Sequence, residues 1–255
     1  MKITRRMERW SPLVVLVAVL LLWQAIVSAF GIAEFIFPSP WQIAQEFLAF
    51  RGPLLEAAWK TFWVTMLGFA LSIVVGVLLG FLIGSSRLAY TALYPLMVAF
   101  NAVPKAAIVP ILVVWFGIGL GPGILTAFLI SFFPITVNIA TGLATLEPEL
   151  EDVLRVLGAR RWDVLVKVGL PRSMPYFYGS LKVAITLAFV GTVLAEMTAG
   201  DSGIGYLMQS AGSQQRLPLA FAGLVTIGMM AMGMYELFSY IEKHTTAWAH
   251  RGTQG

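Results

Sequence analysis

The side chains able to do chemistry are few. The chain has no cysteine, which removes disulfides, thiolate metal ligands and a cysteine nucleophile. Its two histidines, His244 and His250, follow the last long apolar run, while the serine of "DSG" at Asp201–Gly203 precedes that run. This spacing supports no Ser–His pair and no metal cluster. No G-x-x-x-x-G-K-[ST] phosphate loop occurs. What remains is a small set of ionisable groups inside or beside apolar stretches: Lys105, Lys182, Glu196 and Glu236. A charge at the centre of a bilayer costs about 3 kcal/mol on insertion scales, so such a group marks a polar route or a buried pair. The chemistry on offer is electrostatic recognition.

The elements that must position these groups are apolar. Of 255 residues, 58% are hydrophobic and 12% charged, and the mean hydropathy is +0.83. Soluble domains carry roughly a quarter charged residues, so so little polar surface cannot cover such a core in water. Six apolar runs are each long enough to cross about 30 Å of hydrocarbon at 1.5 Å per residue: Pro12–Phe30, Thr61–Ile83, Leu93–Phe116, Ile124–Ala144, Tyr178–Ala199 and Leu219–Ile241. The expected fold is an all-α membrane protein of six transmembrane helices. Its segments are a cytoplasmic stretch over 1–11, a membrane domain over 12–242 with a cytoplasmic loop at 145–175, and a cytoplasmic tail over 243–255.

Lys and Arg set the orientation. With the N-terminus inside, most of the seventeen basic residues fall on the inner side, leaving Arg51, Lys60 and Arg216 outside and Lys105 within a span. The net charge of +4 is thus a topology signal and not a nucleic-acid signature. The first run has a second reading, because basic "MKITRRMER" followed by small "VSA" at Val27–Ala29 has the shape of a secretory signal. After it, "FPSPWQIAQEF" offers Ser39 as N-cap, Pro40 at the first helical position and Gln42 three residues past the cap, predicting a short helix at the outer surface.

The second run carries Gly68, Ser72, Gly76, Gly80 and Gly84, a small residue at every fourth position. On a helix this is one smooth ridge for close packing, within the subunit or between subunits. The third run holds Pro95, Pro104 and Pro110, which bend a helix and free carbonyls. Near its middle Lys105 must face a pathway or a partner such as Glu196 or Asn138. Asn101, Pro104, Lys105, Asn138 and Glu196 are the candidate pathway residues. In "EMTAGDSGIGY", Glu196 and Asp201 either position a gate or binding-protein dock, or belong to a capped, solvated loop.

The densest charge lies in "ELEDVLRVLGARRWDVLVKVGLP", Glu149–Pro171. Leu150, Val153, Leu154 and Leu157 follow the i, i+3, i+4, i+7 rule of an amphipathic helix, with acids at its N-terminal end. Gly158 can end it in a left-handed cap, and a second helix with Trp162, Leu165 and Val166 on one face is expected to stop at Pro171. Such a knob has no pocket of its own and suits a groove on a partner.

These residues resemble the "EAA…G…I-LP" loop of permease subunits of bacterial ABC importers. Gly158, Leu170 and Pro171 match in identity and spacing, Val168 stands where the family has Ile, and Asp152 keeps the acid while the small pair is lost. "VPKAAIVPILVVWFGIG", "LAEMTAGDSGIGYLMQSAG" and "TTAWAHR" resemble the nitrate, sulfonate and taurine branch of that family. The resemblance implies a type I importer permease, a multi-pass protein of the bacterial inner membrane with both termini cytoplasmic, moving a small, anionic solute. It implies a second permease chain forming a homodimer, cytoplasmic ABC ATPase subunits docked on Asp152, Leu154, Leu157, Gly158, Ala159, Trp162, Val168, Leu170 and Pro171, and a periplasmic or lipid-anchored solute-binding protein. No cofactor of its own is expected, ATP and Mg being held by the ATPase, and no enzymatic activity. The competing class is a stand-alone secondary transporter or channel, which has no reason to keep a docking knob.

Overall fold

The computed structural model describes residues 2–144, 153–154 and 156–246. Among the described residues all regular structure is helical: α1 (Lys2–Phe30), α2 (Pro40–Ala49), α3 (Arg51–Gly84), α4 (Arg87–Ala102), a 3₁₀ turn (Lys105–Ile108), α5 (Val109–Phe116), α6 (Leu120–Ala144), α7 (Leu170–Ala199), α8 (Gly203–Ser213) and α9 (Leu217–Thr245). Five stretches are long and apolar enough to cross a membrane: Trp10–Phe30, Arg51–Gly84, Leu120–Ala144, Trp162–Ala199 and Leu217–Thr245. The sixth expected span is broken. α4 and the turn leading into α5 meet at an angle of 74°.

The three prolines of that span act differently. Pro95 lies inside α4 and Pro110 in the first turn of α5, where a missing N–H leaves no intrahelical bond unmade. Pro104 makes the break, because the residue before a proline avoids the α region, and Val103 is accordingly extended at φ −66°, ψ 128°.

α3, α6 and α7 form the centre. Ser72 and Ser131, 59 residues apart, share a 2.6 Å hydrogen bond. Gly68/Ala127, Gly76/Ile135, Gly80/Ile139 and Gly84/Leu143 keep the same offset along two helices that run in parallel. The small-residue ridge of α3 is therefore seated on α6 within one chain. A methyl group on Gly80 would come 2.8 Å from both Ile139 Cβ and the Thr136 carbonyl, closer than packed atoms allow. α7 runs antiparallel to α6, with Gly191 against Ala127 and Ser173 against Gly142. Phe69, Ile135, Ile139, Ile185 and Phe189 fill the core between these helices.

These pairings gather the C-terminal ends of α3, α6 and α9 with the start of α7 at one end of the bundle, here the loop end. The start of α3, the end of α7, and α8 gather at the opposite end. There α2 has the capping box expected from its sequence. Ser39 N donates to Gln42 Oε1 at 2.8 Å, and Gln42 N donates to Ser39 Oγ at 3.3 Å. α2 buries Ile43 against Leu54, Ala211, Leu219 and Ala222, and Arg216 before α9 pairs with its Glu46 at 3.1 Å while lying over Phe50. α1 stands outermost, held by its last turns. Gln24 Oε1 accepts from Trp41 N at 3.1 Å, and Trp23 packs with Phe37 and Phe221.

Candidate functional site

At the loop end, Gly158 has φ +87° with open space around it, and Ala159 N donates to Leu154 O at 3.0 Å. This is the helix stop in which a residue past the left-handed position bonds back across the last turn. Val153, Val156 and Leu157 are exposed, Val156 by 89% and Leu157 by 77%. Leu154 and Ala159 are half-buried. Asp152, the acid of the family-like motif, lies outside the described residues, as do Glu149, Leu150 and Glu151.

A short helix at Arg161–Val164 follows. Its start is fixed by Arg160 N donating to Asp163 Oδ2 at 3.3 Å, and Asp163 also pairs with Lys167 at 3.0 Å. Trp162 is exposed on one side and sets its ring on Phe81 of α3, centroids 5.6 Å apart. The expected stop at Pro171 does not occur. A π-helical stretch, Leu165–Gly169, carries the helix directly into α7, and Pro171 occupies the first turn of α7, where proline fits. Val168 and Leu170 are half-buried at this junction and Pro171 is exposed. The knob is therefore continuous with α7 and touches the end of α3.

The bend of the broken span carries Lys105. Its Nζ donates to the Asn101 carbonyl and, at 2.8 Å, to Asn101 Oδ1. The cation thus neutralises carbonyls exposed at the end of α4, a favourable place for positive charge. Glu196 and Asn138, the partners expected from sequence, are engaged elsewhere. Asn138 Nδ2 donates to the Pro134 carbonyl within α6 at 2.9 Å. Asn101 and Pro104 are exposed at the bend and Lys105 is half-buried.

Glu196 is neither solvated nor beside Lys105. It is 8% exposed, and Thr61 Oγ1 lies 2.9 Å from both its oxygens. Gly205 N donates to Oε2 at 2.8 Å, and Ile204 N donates to Thr61 Oγ1 at 2.8 Å. Thr65 Oγ1, 2.9 Å from Thr192 Oγ1, extends this polar layer between α3 and α7. The backbone donors belong to the first turn of α8, so its N-terminus is capped by side chains from two other helices.

Sequence reasoning passed over Thr61 and Thr65, although two threonines four apart in an apolar run mark one polar stripe. It also left Lys182 without its partner, Glu242 of α9, at 2.7 Å. Beside α8 a cavity of about 400 Å³ is lined by Glu56, Lys60, Asp201, Tyr206, Gln214 and Arg216, among others.

A bundle of broken and unbroken membrane helices, with an exposed apolar knob at one end and a polar cavity at the other, is the architecture of a multi-pass membrane protein. The sequence matches, over residues 72–244, the profile of the binding-protein-dependent transport system inner membrane component, and the chain belongs to that family, the permeases of ABC importers. It is 30% identical over 243 residues to a probable ABC transporter permease protein of Haemophilus influenzae, covering 94% of this chain and 97% of the relative. It is 32% identical to the riboflavin transport system permease protein RibX of Chloroflexus aurantiacus, covering 92% and 88%. Its fold superposes on a chain of the inward-facing MetNI methionine ABC transporter with a TM-score of 0.67 at 19% identity, covering 76% of this chain and 96% of that one. This is the fold of a type I importer permease.

Proposed function

We propose that this permease forms the translocation pathway of an ATP-driven importer for a small anionic solute, driven through its loop-end knob by separate ATPase subunits. The observation that carries the reading is the knob itself. Val153, Val156, Leu157 and Trp162 leave an apolar face uncovered on a charged loop, where a chain with no phosphate loop of its own needs a partner to supply ATP hydrolysis. An amphipathic helix offered in this way suits a hydrophobic groove on that partner. The bias of the basic residues supports a cytoplasmic position for this end and for both termini. The α8 end then faces outward, towards a solute-binding protein. A second copy of the chain completes the pore, and ATP and Mg stay with the ATPase, the permease holding no cofactor.

Lys105 supports the choice of an anion. It sits at the bend of the broken span and, among the described residues, has neutral oxygen partners and no ion pair, so an anion in the route meets a positive charge that these partners do not cancel. A second reading of the solute, an aromatic heterocycle, is favoured by the relative named for riboflavin transport. The test is reconstitution of the purified chain with its ATPase and binding protein in vesicles. ATP-dependent accumulation of an anionic solute, lost in Leu157→Asp, is expected. Accumulation without ATP overturns the reading.

A further inference from the structure

α8 could take its cap locally, since Ser202 occupies the N-cap position, yet the Ser202 hydroxyl donates to Asp201 Oδ1 at 2.9 Å and makes no cap bond. The cap comes instead from Thr61 of α3 and Glu196 of α7. The turn before α8 is shaped for that carboxylate. Gly203 has φ +91°, and a Cβ there would collide with Glu196 Oε1. A Cβ on Gly205 would fall 2.5 Å from the Val193 carbonyl and 2.7 Å from Glu196 Cβ.

The same two helices meet again at the loop end. Phe81 of α3 carries Trp162 of the knob, and α7 begins where the knob's π-helical stretch finishes. α7 is one helix of 30 residues, about 45 Å long. Knob, α3, α8 and α7 therefore make a closed frame, with α3 and α7 as its two long sides.

We propose that Glu196 is the positioning residue that closes this frame, so that a displacement of the knob reaches α8 and the 400 Å³ cavity it lines as one rigid-body movement. Small shifts become whole-element movements when packed parts have discrete arrangements. Without the Glu196 joint, α8 keeps its apolar packing, Ile204 on Ala57 and Ala58 and Ala211 on Leu219 and Ala222, but loses the side-chain hydrogen bond that ties its first turn to α7. The inference rests on the reading of the knob as the ATPase dock.

The chain has no cysteine, so Gln209→Cys, on an exposed turn of α8 outside the cavity, gives a unique attachment point for a spin label. The assembled transporter in vesicles is measured with and without ATP plus vanadate. The label is expected to change mobility on ATP trapping in the otherwise native chain. In Glu196→Leu that response should fall at least fivefold, while ATPase capture and basal ATP hydrolysis stay within twofold. Glu196→Gln should restore it, because the amide oxygen still accepts from Gly205 N. Thr61→Val, which keeps the side-chain shape, should lower the response about threefold. A full response in both Glu196→Leu and Thr61→Val overturns the inference, as does an equal loss of capture, hydrolysis and response in Glu196→Leu and Glu196→Gln, which is plain misfolding. A native chain that captures no ATPase and gives no response overturns the reading of the knob and the inference together.

Discussion

Thr61 on α3 donates its hydroxyl proton to Glu196 on α7 at 2.9 Å, across 135 residues of sequence. The same oxygen accepts from Ile204 N of α8 at 2.8 Å. One hydroxyl, itself fully buried, thus serves three helices.

Thr61→Val keeps the volume and removes the bond. It leaves a buried carboxylate one donor short and Ile204 N without an acceptor, so we expect a loss of about 1–3 kcal/mol. Thermal unfolding of the purified chain in detergent reads this directly. Thr61→Ser, which keeps the hydroxyl, should lose less than Thr61→Val.

The glycine ridge gives a paired prediction. Gly80→Ala puts a methyl group 2.8 Å from Ile139 Cβ and from the Thr136 carbonyl, so α3 must lift off α6 at about 1–3 kcal/mol. Gly228→Ala in α9 meets nothing within 4 Å and should be neutral or slightly stabilising, since alanine favours a helix over glycine. The two variants are compared by thermal unfolding.

Much of this was legible in the sequence, for identifiable reasons. The capping box of α2 involves residues three apart, and the ridge of α3 is a strict repeat, so local spacing determines both. The stop at Gly158 is equally local. Glu196 was visible as an intramembrane acid, but its partners were not, because Thr61 and Gly205 reach it only once α3, α7 and α8 are packed together. Lys105 misled for the opposite reason. A charge in a span invites a remote partner, yet Asn101 four residues earlier satisfies it on the same bend. Pro171 has the sequence signature of a stop, whereas a widened π-helical stretch before it lets the helix continue into α7.

The ion pair between Lys182 and Glu242 closes α7 onto α9 at 2.7 Å, with side chains 18% and 13% exposed. Removing one partner strands the other in a largely buried site. Glu242→Ala should cost about 3 kcal/mol, whereas the joint change Lys182→Met with Glu242→Leu should cost less than about 1 kcal/mol. A double-mutant cycle by thermal unfolding separates the two.

For transport, Lys105→Gln should lower uptake of an anionic solute about tenfold, the equivalent of about 1.4 kcal/mol in the route. Lys105→Arg keeps the charge and should retain most uptake. Vesicle uptake assays with each variant, normalised to the amount of inserted chain, give the comparison.

The most direct test of the central claim is purification of the tagged chain from membranes, with mass spectrometry of whatever accompanies it. The account predicts a stoichiometric ATPase that is lost in Leu157→Asp, a substitution at an exposed position that leaves the membrane helices folded. A chain that purifies alone and still moves solute would contradict it.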